Sequence, residues 1–444
     1  MTADVFKSET DTFDICHAEA AVRIVRRLLA TFNGSFALRL WNDVTHQFGR
    51  TTPAFTLVVC DPIVLRMLVL RPSPLVLADA YFRGLLDCEG DLYAAIQLKA
   101  YLQGLSLSLR ERAALFFDAM RLPGKSLFEK LEGNDEGAFS HNHSKHSDRA
   151  AISFHYDVSN DFYRLWLDDN MVYSCAYFET ATDSLAQAQQ NNLDHICRKL
   201  RLSPNEYFLD VGCGWGALIC WAARKYGVRA HGITLSRQQY KFTQQRIIEE
   251  GLENRVTVEL RDYRDLEGEA IYDKVSSIGM FEHVGLNNLA LYNATVQRVL
   301  RPNGLFLNHG ITHDEEGWQQ NVDTEFINRY AFPDGELDTV SNIQRGMERS
   351  GFEIHDVEGL RPHYALTLRH WVQRLEAKHD DALQYVSETT YRIWRFYMAA
   401  CALEFESGGT GIYQILASRR GSESLRAPLT RRNLYNTNPM TLES

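Results

Sequence analysis

Cysteine pairs, excess basic charge and long apolar runs are what this chain lacks. Its eight cysteines, at 16, 60, 88, 175, 197, 213, 220 and 401, form no C-x-x-C pair. A zinc site of ordinary spacing is therefore not expected, and reduced thiols in a cytoplasmic protein are. Lys and Arg total 47 against 57 Asp and Glu, a net charge of −10, which argues against nucleic acid as a partner. Any contact with a lipid surface must then rest on a local patch. No apolar run reaches the about 18 residues that span a bilayer. Residues 1–14 carry four acids and no apolar core, so no signal peptide is expected there. No internal repeat or low-complexity segment is evident. The rest is ordinary for a globular chain: 45% hydrophobic and 23% charged over 444 residues. That length predicts two or three domains, with cores large enough to stand without staples.

The most informative stretch is Phe208-Leu209-Asp210-Val211-Gly212-Cys213-Gly214-Trp215-Gly216. An apolar strand ends in an acid and then in glycine at every second position. Such a G-x-G-x-G turn lets backbone approach a ligand closely, because no Cβ intervenes. The acid points to a ligand that is cationic or presents hydroxyls, and so toward S-adenosylmethionine. A dinucleotide turn wants G-x-G-x-x-G with an acid about 20 residues on, and the next strand, Arg229 to Thr234, ends without one. A merely tight strand–helix turn would use the same glycines.

Along the chain, Ala20 to Phe32 has helical spacing, with Val22, Val25, Leu29 and Phe32 on one side and Arg23, Arg26 and Arg27 nearby. A core-packed surface helix is the preferred reading, and a helix resting on an anionic membrane the other. Phe36–Leu40 and Ala54–Cys60 alternate as strands do, and apolar Ile63–Leu70 follows a turn at Asp61-Pro62. A small α+β N-terminal domain over 1–132 fits. Residues 133–150 read as a polar linker. Its His141, His143 and His146 lack a partner cysteine or paired acid, so metal is disfavoured. Its Lys145 and Arg149 are candidates for phosphate head groups. From residue 151 to 444 the pattern is alternating α/β. Strands are predicted at Tyr207–Val211, Ala230–Thr234, Val256–Leu260, Lys274–Ile278, Leu305–His309, Phe352–Val357 and Gly411–Ala417. Ser236 with Gln239 predicts a capping-box start for the helix through Glu250.

Several further runs carry a family resemblance. They are His155-Tyr156-Asp157-Val158-Ser159-Asn160-Asp161-Phe162-Tyr163, Val172-Tyr173-Ser174-Cys175-Ala176-Tyr177-Phe178 and Gly232-Ile233-Thr234-Leu235-Ser236. Then come Arg261-Asp262-Tyr263-Arg264-Asp265, Gly279-Met280-Phe281-Glu282-His283-Val284-Gly285, Phe306-Leu307-Asn308-His309 and Arg361-Pro362-His363-Tyr364. In order and approximate spacing, over about 151–420, the chain resembles the cyclopropane-fatty-acid synthases and their mycolic-acid relatives. The resemblance implies a Rossmann-like class I S-adenosylmethionine-dependent methyltransferase domain with a mostly parallel seven-stranded sheet. It implies cofactor contacts at Tyr173, Ser174, Gly212, Gly214, Gly216, Thr234, Gln239, Asp262 and Tyr263. Thr234 and Gln239 suit ribose hydroxyls, and Asp262 and Tyr263 the adenine. It also implies a bicarbonate ion as base, held by Cys175, Glu282, His309 and Tyr364 with the Ile311 backbone nearby. Bland alternatives stand beside these roles: a packed aromatic at Tyr173, a helix cap at Glu282, a satisfied core histidine at His309, core filler at Tyr364 and Cys175.

The expected reaction adds a methylene across a cis double bond of an unsaturated phospholipid acyl chain. The enzyme would be cytoplasmic and peripheral at the inner face of the membrane, and a homodimer is an open assembly. Alternatives are a related enzyme leaving a methyl branch or methylene group, and a lipid-binding scaffold without activity. The chain departs from the commonest family pattern at Asn308, Gly310 and Asp338-Thr339, which are expected to shape the acyl pocket.

Overall fold

The computed structural model describes residues 3–123, 145, 159–319, 322–330, 332, 335–421 and 430–435. His141, His143, His146, Arg149 and the run His155–Val158 lie outside these residues. Contacts divide the chain into two units: Met1–Ala138 with Asn321–Phe326 and Ser387–Ala400, and the remainder.

The first unit holds a four-stranded sheet of order β2-β1-β3-β4, with β1 Phe36–Arg39, β2 Thr45–Phe48, β3 Phe55–Val59 and β4 Leu86–Gly90. Phe36 stacks on Phe48 and Phe55 at 4.7 and 5.7 Å between centroids. β1 and β3 match the predicted strands. β2 was not expected, because Thr-His-Gln-Phe offers almost no apolar alternation. The helices are α1 Ala3–Leu28, α2 Ile63–Leu70, α3 Pro74–Phe82, α4 Leu92–Ile96, α5 Leu98–Gln103 and α6 Leu109–Arg121. α1 buries Ala20, Ala21, Ile24 and Val25, so its apolar face is core. Arg23 and Arg27 both bind the carboxylate of Asp118 on α6. Burial alone would raise that carboxyl, but the two arginines hold it below its usual range. Phe326 and Phe396, from the two later segments, pack on Phe82 of α3.

The second unit is a seven-stranded α/β sheet of order β10-β11-β9-β8-β5-β6-β7. The strands are β5 Tyr207–Val211, β6 Arg229–Thr234, β7 Val256–Leu260, β8 Tyr272–Ile278, β9 Leu300–His313, β10 Phe352–Gly359 and β11 Thr410–Arg419. All seven predicted strands form, some longer than predicted. β5 is central and buried on both faces: Phe208 joins the apolar cluster of the helices Leu185–Leu200 and Ala217–Tyr226, while Leu209 and Val211 join the cluster under Leu289–Val299. A continuous apolar run is what such a strand requires. Only β11 runs antiparallel to its neighbours. Pairing of β10 with β11 shifts register between Ile354 and Asp356, a bulge at His355.

The helix Arg237–Glu249 begins at Ser236, whose hydroxyl accepts from the Gln239 amide at 3.2 Å. The reciprocal half of the expected capping box is absent. The Gln239 side chain accepts instead from Thr234, and the Ser236 amide donates to the Thr234 hydroxyl. Thr234, at the end of β6, thus stands between the Ser236 amide and the Gln239 oxygen, accepting from one and donating to the other.

Candidate active site

The parallel strands bring their carboxyl ends to one edge, and strand order reverses between β5 and β8. Open α/β sheets bind ligands at such a point. Gly212, Gly214 and Gly216 leave β5 with φ of +81°, +54° and +80°, angles glycine adopts without strain. Their surroundings differ. A Cβ on Gly216 would lie 2.5 Å from Cγ2 of Thr243 and one on Gly212 3.3 Å from Sδ of Met280, whereas one on Gly214 meets nothing within 4 Å. Gly214 therefore faces open space, and Gly216 lets the turn pack on the helix Arg237–Glu249. Asp210 does not present its carboxyl to the loop. It lies level with Ser276 on β8 and accepts its hydroxyl at 2.5 Å, while burial raises it to about 7.

Thr234 and Gln239, expected to serve ribose hydroxyls, hold each other. The Thr234 hydroxyl donates to Gln239 Oε1 at 2.8 Å, and both are buried. The Gln239 amide nitrogen is the donor of the pair not used in that bond. Asp262 accepts from Arg264 on both oxygens, at 2.9 and 2.7 Å, so its charge is met locally. Tyr263 is buried edge-on to Tyr292, with centroids 5.5 Å apart. Tyr173 sits in an aromatic cluster with Tyr163, Trp166 and Trp371, at 5.7, 5.5 and 5.2 Å. The Ser174 carbonyl accepts from Gln189 at 3.0 Å, and the Ala176 amide donates to Thr367 at 3.0 Å. The segment 172–178 is thus strapped to the helices Leu185–Leu200 and Arg361–Glu376.

Four of the five residues expected around the base, Glu282, Ile311, Tyr364 and Cys175, are linked through backbone groups, and His309 stands two residues before Ile311 on β9. Glu282 lies in the short helix Phe281–Val284 after β8. Its Oε1 accepts from the Ile311 amide at 2.7 Å, and its Oε2 is buried without a hydrogen-bond partner among the described residues. Burial raises its carboxyl to about 7. Ile311 belongs to β9 and pairs with Ile412, whose carbonyl accepts from the Leu360 amide at 2.9 Å. The Leu360 carbonyl accepts from the Tyr364 amide at 3.1 Å and lies 3.8 Å from Cys175 Sγ. Burial raises the Cys175 thiol well above its usual value. The Tyr364 ring lies 4.7 Å from Phe405 and edge-on to Trp371.

His309 is level with Ile278, the last residue of β8. Burial, aided by the Lys199 charge, lowers it to about 3, so the ring is neutral. Its Nδ1 lies 3.4 Å from the Gln414 amide nitrogen. An amide nitrogen only donates, so Nδ1 accepts and the ring proton sits on Nε2. That Nε2 is buried and lacks a partner among the described residues.

Sequence reasoning missed Gln414 and the charges behind it. Glu358, Gln414 and His309 stand abreast on β10, β11 and β9. Glu358 receives His195 at 2.8 Å and Lys199 at 2.5 Å from the helix Leu185–Leu200. Burial would raise Glu358, but these two partners bring it to about 2. The available signal was polar residues inside apolar patterns: Gln414 between Tyr413 and Ile415, and Lys199 on the buried side of its helix.

The expected pocket-shaping departures serve packing. A Cβ on Gly310 would lie 2.2 Å from the Phe281 ring, so glycine lets the Phe281-Glu282 turn lie on β9. Asn308 faces away from His309 and accepts from Tyr292 at 3.1 Å. Asp338 accepts from Gly317, Thr339 and Asn342 at 2.7–3.0 Å, and Thr339 caps the helix Val340–Arg349.

Sheet order, glycine turn and site edge together are those of the class I S-adenosylmethionine-dependent methyltransferases. Coclaurine N-methyltransferase, 20% identical over 80% of this chain and 99% of its own with a TM-score of 0.56, shares that fold. Within the class, the chain belongs to the mycolic acid cyclopropane synthetase family, whose model matches residues 143–415. A domain of unknown function matches residues 24–108. A probable fatty acid methyltransferase of Pseudomonas putida is 43% identical over 401 residues, 90% of this chain and 95% of its own. The cyclopropane-fatty-acyl-phospholipid synthase of Escherichia coli K12 is 36% identical over 359 residues, 81% and 86% of the two chains. The mycolic acid cyclopropane synthase CmaA1, solved with SAH and CTAB, is 34% identical over 61% of this chain and 98% of its own, with a TM-score of 0.58.

Proposed function

We propose that the chain transfers a methylene from S-adenosylmethionine to the cis double bond of an unsaturated phospholipid acyl chain, with bicarbonate as proton acceptor. The observation that carries this reading is the pair of orphaned buried groups, Glu282 Oε2 and His309 Nε2, joined through the β9 backbone. An alkene is a weak nucleophile, and methyl transfer to it leaves a carbocation that must lose a proton to close the ring. S-adenosylmethionine supplies the electrophilic methyl when bound. Gly214 would give it backbone approach, beside Gly212 and Gly216. Gln239, held by Thr234, would offer its amide to the ribose, with Tyr173, Ser174, Asp262 and Tyr263 enclosing the rest.

Bicarbonate, when held here, would supply the base. A buried carboxyl near neutrality and a neutral imidazole with its proton on Nε2 suit it chemically: one accepts a hydroxyl hydrogen, the other donates to an oxygen. Cys175 and Tyr364 would complete the enclosure. The Ile311 amide is engaged by Glu282, so it would orient that carboxyl rather than touch the ion. Aromatic faces such as those around Tyr173 ease a nearby cation.

A second reading keeps the same cation and leaves a methyl branch or methylene group. The name and high coverage of the Pseudomonas putida relative favour it. Fragmentation mass spectrometry of acyl chains from turnover on unsaturated phospholipid vesicles distinguishes ring from branch. In the same assay Glu282→Gln and His309→Gln should lower turnover by about 10²–10⁴-fold while calorimetric affinity for S-adenosylmethionine persists. Stripping dissolved carbonate should slow the unmutated enzyme, and restoring it should recover the rate. Near-normal turnover of Glu282→Gln, insensitive to carbonate, would remove this assignment.

A further inference from the structure

α6 has two unlike faces. Its residues advance about 100° each, which aligns Leu109, Ala113, Phe116 and Met120 along one line with Phe117 beside it. Leu109 is 84% exposed, Phe117 66%, Met120 48% and Phe116 47%. The opposite side buries Leu115, Asp118 and Ala119, where the helix packs on α1 and α2. The apolar stripe is therefore largely outside the packing of α6 in its unit, with Phe116 and Met120 half-buried and the Met120 sulfur 3.8 Å from the Arg66 guanidinium of α2. Single exposed apolar residues are common and need no account. Here a whole stripe along a thirteen-residue helix is left largely to water.

Charge frames the stripe. Exposed Arg112 flanks one side, and exposed Arg110 and Arg121 the other. The two acids of α6 are both engaged: Glu111 closes a capping box with Ser108, and Asp118 is enclosed by Arg23, Arg27 and Arg121. A chain of net charge −10 thus shows a positive border around exposed aromatics. Apolar residues on one side with arginines at the flanks are the pattern of a helix that lies in a membrane interface.

We propose that α6 docks the chain on an anionic phospholipid bilayer. The stripe enters the boundary between head groups and acyl chains, and Arg110 and Arg112 meet head-group phosphates. The choice of a bilayer over another apolar partner rests on the phospholipid substrate proposed above. It also moves the contact from α1, where the sequence offered Arg23, Arg26 and Arg27: Arg23 and Arg27 are spent on Asp118, and although Arg26 is exposed, the apolar side of α1 is core.

The test is co-sedimentation of the full chain with vesicles, zwitterionic alone or mixed with anionic phospholipid. Two variants are compared, Phe116→Ser/Phe117→Ser/Met120→Ser and Arg110→Glu/Arg112→Glu. The unmutated chain should bind the mixed vesicles. The apolar variant should lose at least about tenfold in partitioning at any salt, since binding follows buried apolar area. The charge-reversal variant should lose the preference for anionic vesicles. That preference should also vanish for the unmutated chain near 1 M salt, where screening falls to about 3 Å. Circular dichroism and S-adenosylmethionine affinity, unchanged in both, show that the units remain folded. Turnover on detergent-dispersed phospholipid should be kept while turnover on vesicles falls with partitioning. Vesicle binding that depends on α6 with no turnover on any lipid supports the docking face and sinks the proposed reaction instead. Unchanged partitioning of folded variants overturns the proposal. So does a fall in sedimentation mass of the variants without lost vesicle binding, which would make this face a contact between two copies.

Discussion

Replacing Glu282 by Gln should make the protein more stable above neutral pH while damaging turnover. The carboxyl is buried, with one oxygen on the Ile311 amide and the other unpartnered among the described residues. Burial moves it from 4.5 to about 7. A group whose folded pKa is raised is favoured by folding in its protonated form. It is neutral in effect below pH 4.5, and its contribution turns unfavourable as pH rises toward 7. At about 1.36 kcal/mol per pKa unit, the full deficit is on the order of 3 kcal/mol above pH 7. Gln keeps the acceptor for the Ile311 amide and never ionises. The difference between variant and unmutated protein should therefore be small at pH 4.5 and grow to about 3 kcal/mol by pH 8. In a unit of this size that is a midpoint shift of several degrees. Asp210 also titrates near 7, but it is common to both proteins and cancels in the difference. The assay is thermal unfolding followed by circular dichroism at pH 5 and pH 8, without ligand. A variant less stable at pH 8, or a difference that does not change with pH, would refute the account of Glu282 as a carboxyl held against its solvation.

The glycines of the turn should separate by phenotype. Gly214→Val should abolish S-adenosylmethionine binding in calorimetry while leaving the fold intact, because its Cβ meets nothing within 4 Å and the left-handed angle, strained for a branched residue, costs about 1–3 kcal/mol. Gly216→Ala should instead destabilise by about 1–3 kcal/mol in urea unfolding, through the clash with Thr243. Gln414→Leu should slow turnover about three- to tenfold at unchanged S-adenosylmethionine affinity, since His309 Nδ1 loses its donor. An unaltered rate would detach Gln414 from the site.

The catalytic unit was legible in the sequence where a strand's burial is symmetric. β5 and β7 read as predicted to the residue because a buried central strand and a short alternating one leave little choice. The start of β9 did not, because Pro302, Asn303 and Gly304 look like a turn and form an irregularity, with Asn303 at φ +64°, across which Leu300 still pairs with Tyr272 while Leu305 pairs with Lys274. The residues at Glu282, Cys175 and Tyr364 could be named, and their connection through Leu360 and Ile311 could not, since it joins segments far apart in the chain. The same distance hid Gln414, 105 residues from His309. Thr234 and Asp262 show the opposite limit. Both stand at the expected strand ends, but neighbours that sequence could not rank claimed their polar atoms.

The bulge at His355 sets which side of the sheet the acids of β10 occupy. Phe352 and Ile354 face the cluster under Leu289–Val299, and by simple alternation Asp356 and Glu358 would follow them there. The extra residue resets the phase, so Val357 enters that cluster and Glu358 meets Lys199 and His195 on the other face. His355 is therefore the one place in β10 where the chain can shorten by a residue without reversing the sides beyond it. Loss of Val357 would drive Glu358 into apolar core and strand the Lys199 ammonium without its carboxylate. Loss of His355 would leave both faces as they are. For this strand, tolerance to a change of length is a property of one position, and it decides whether the row ending at His309 survives.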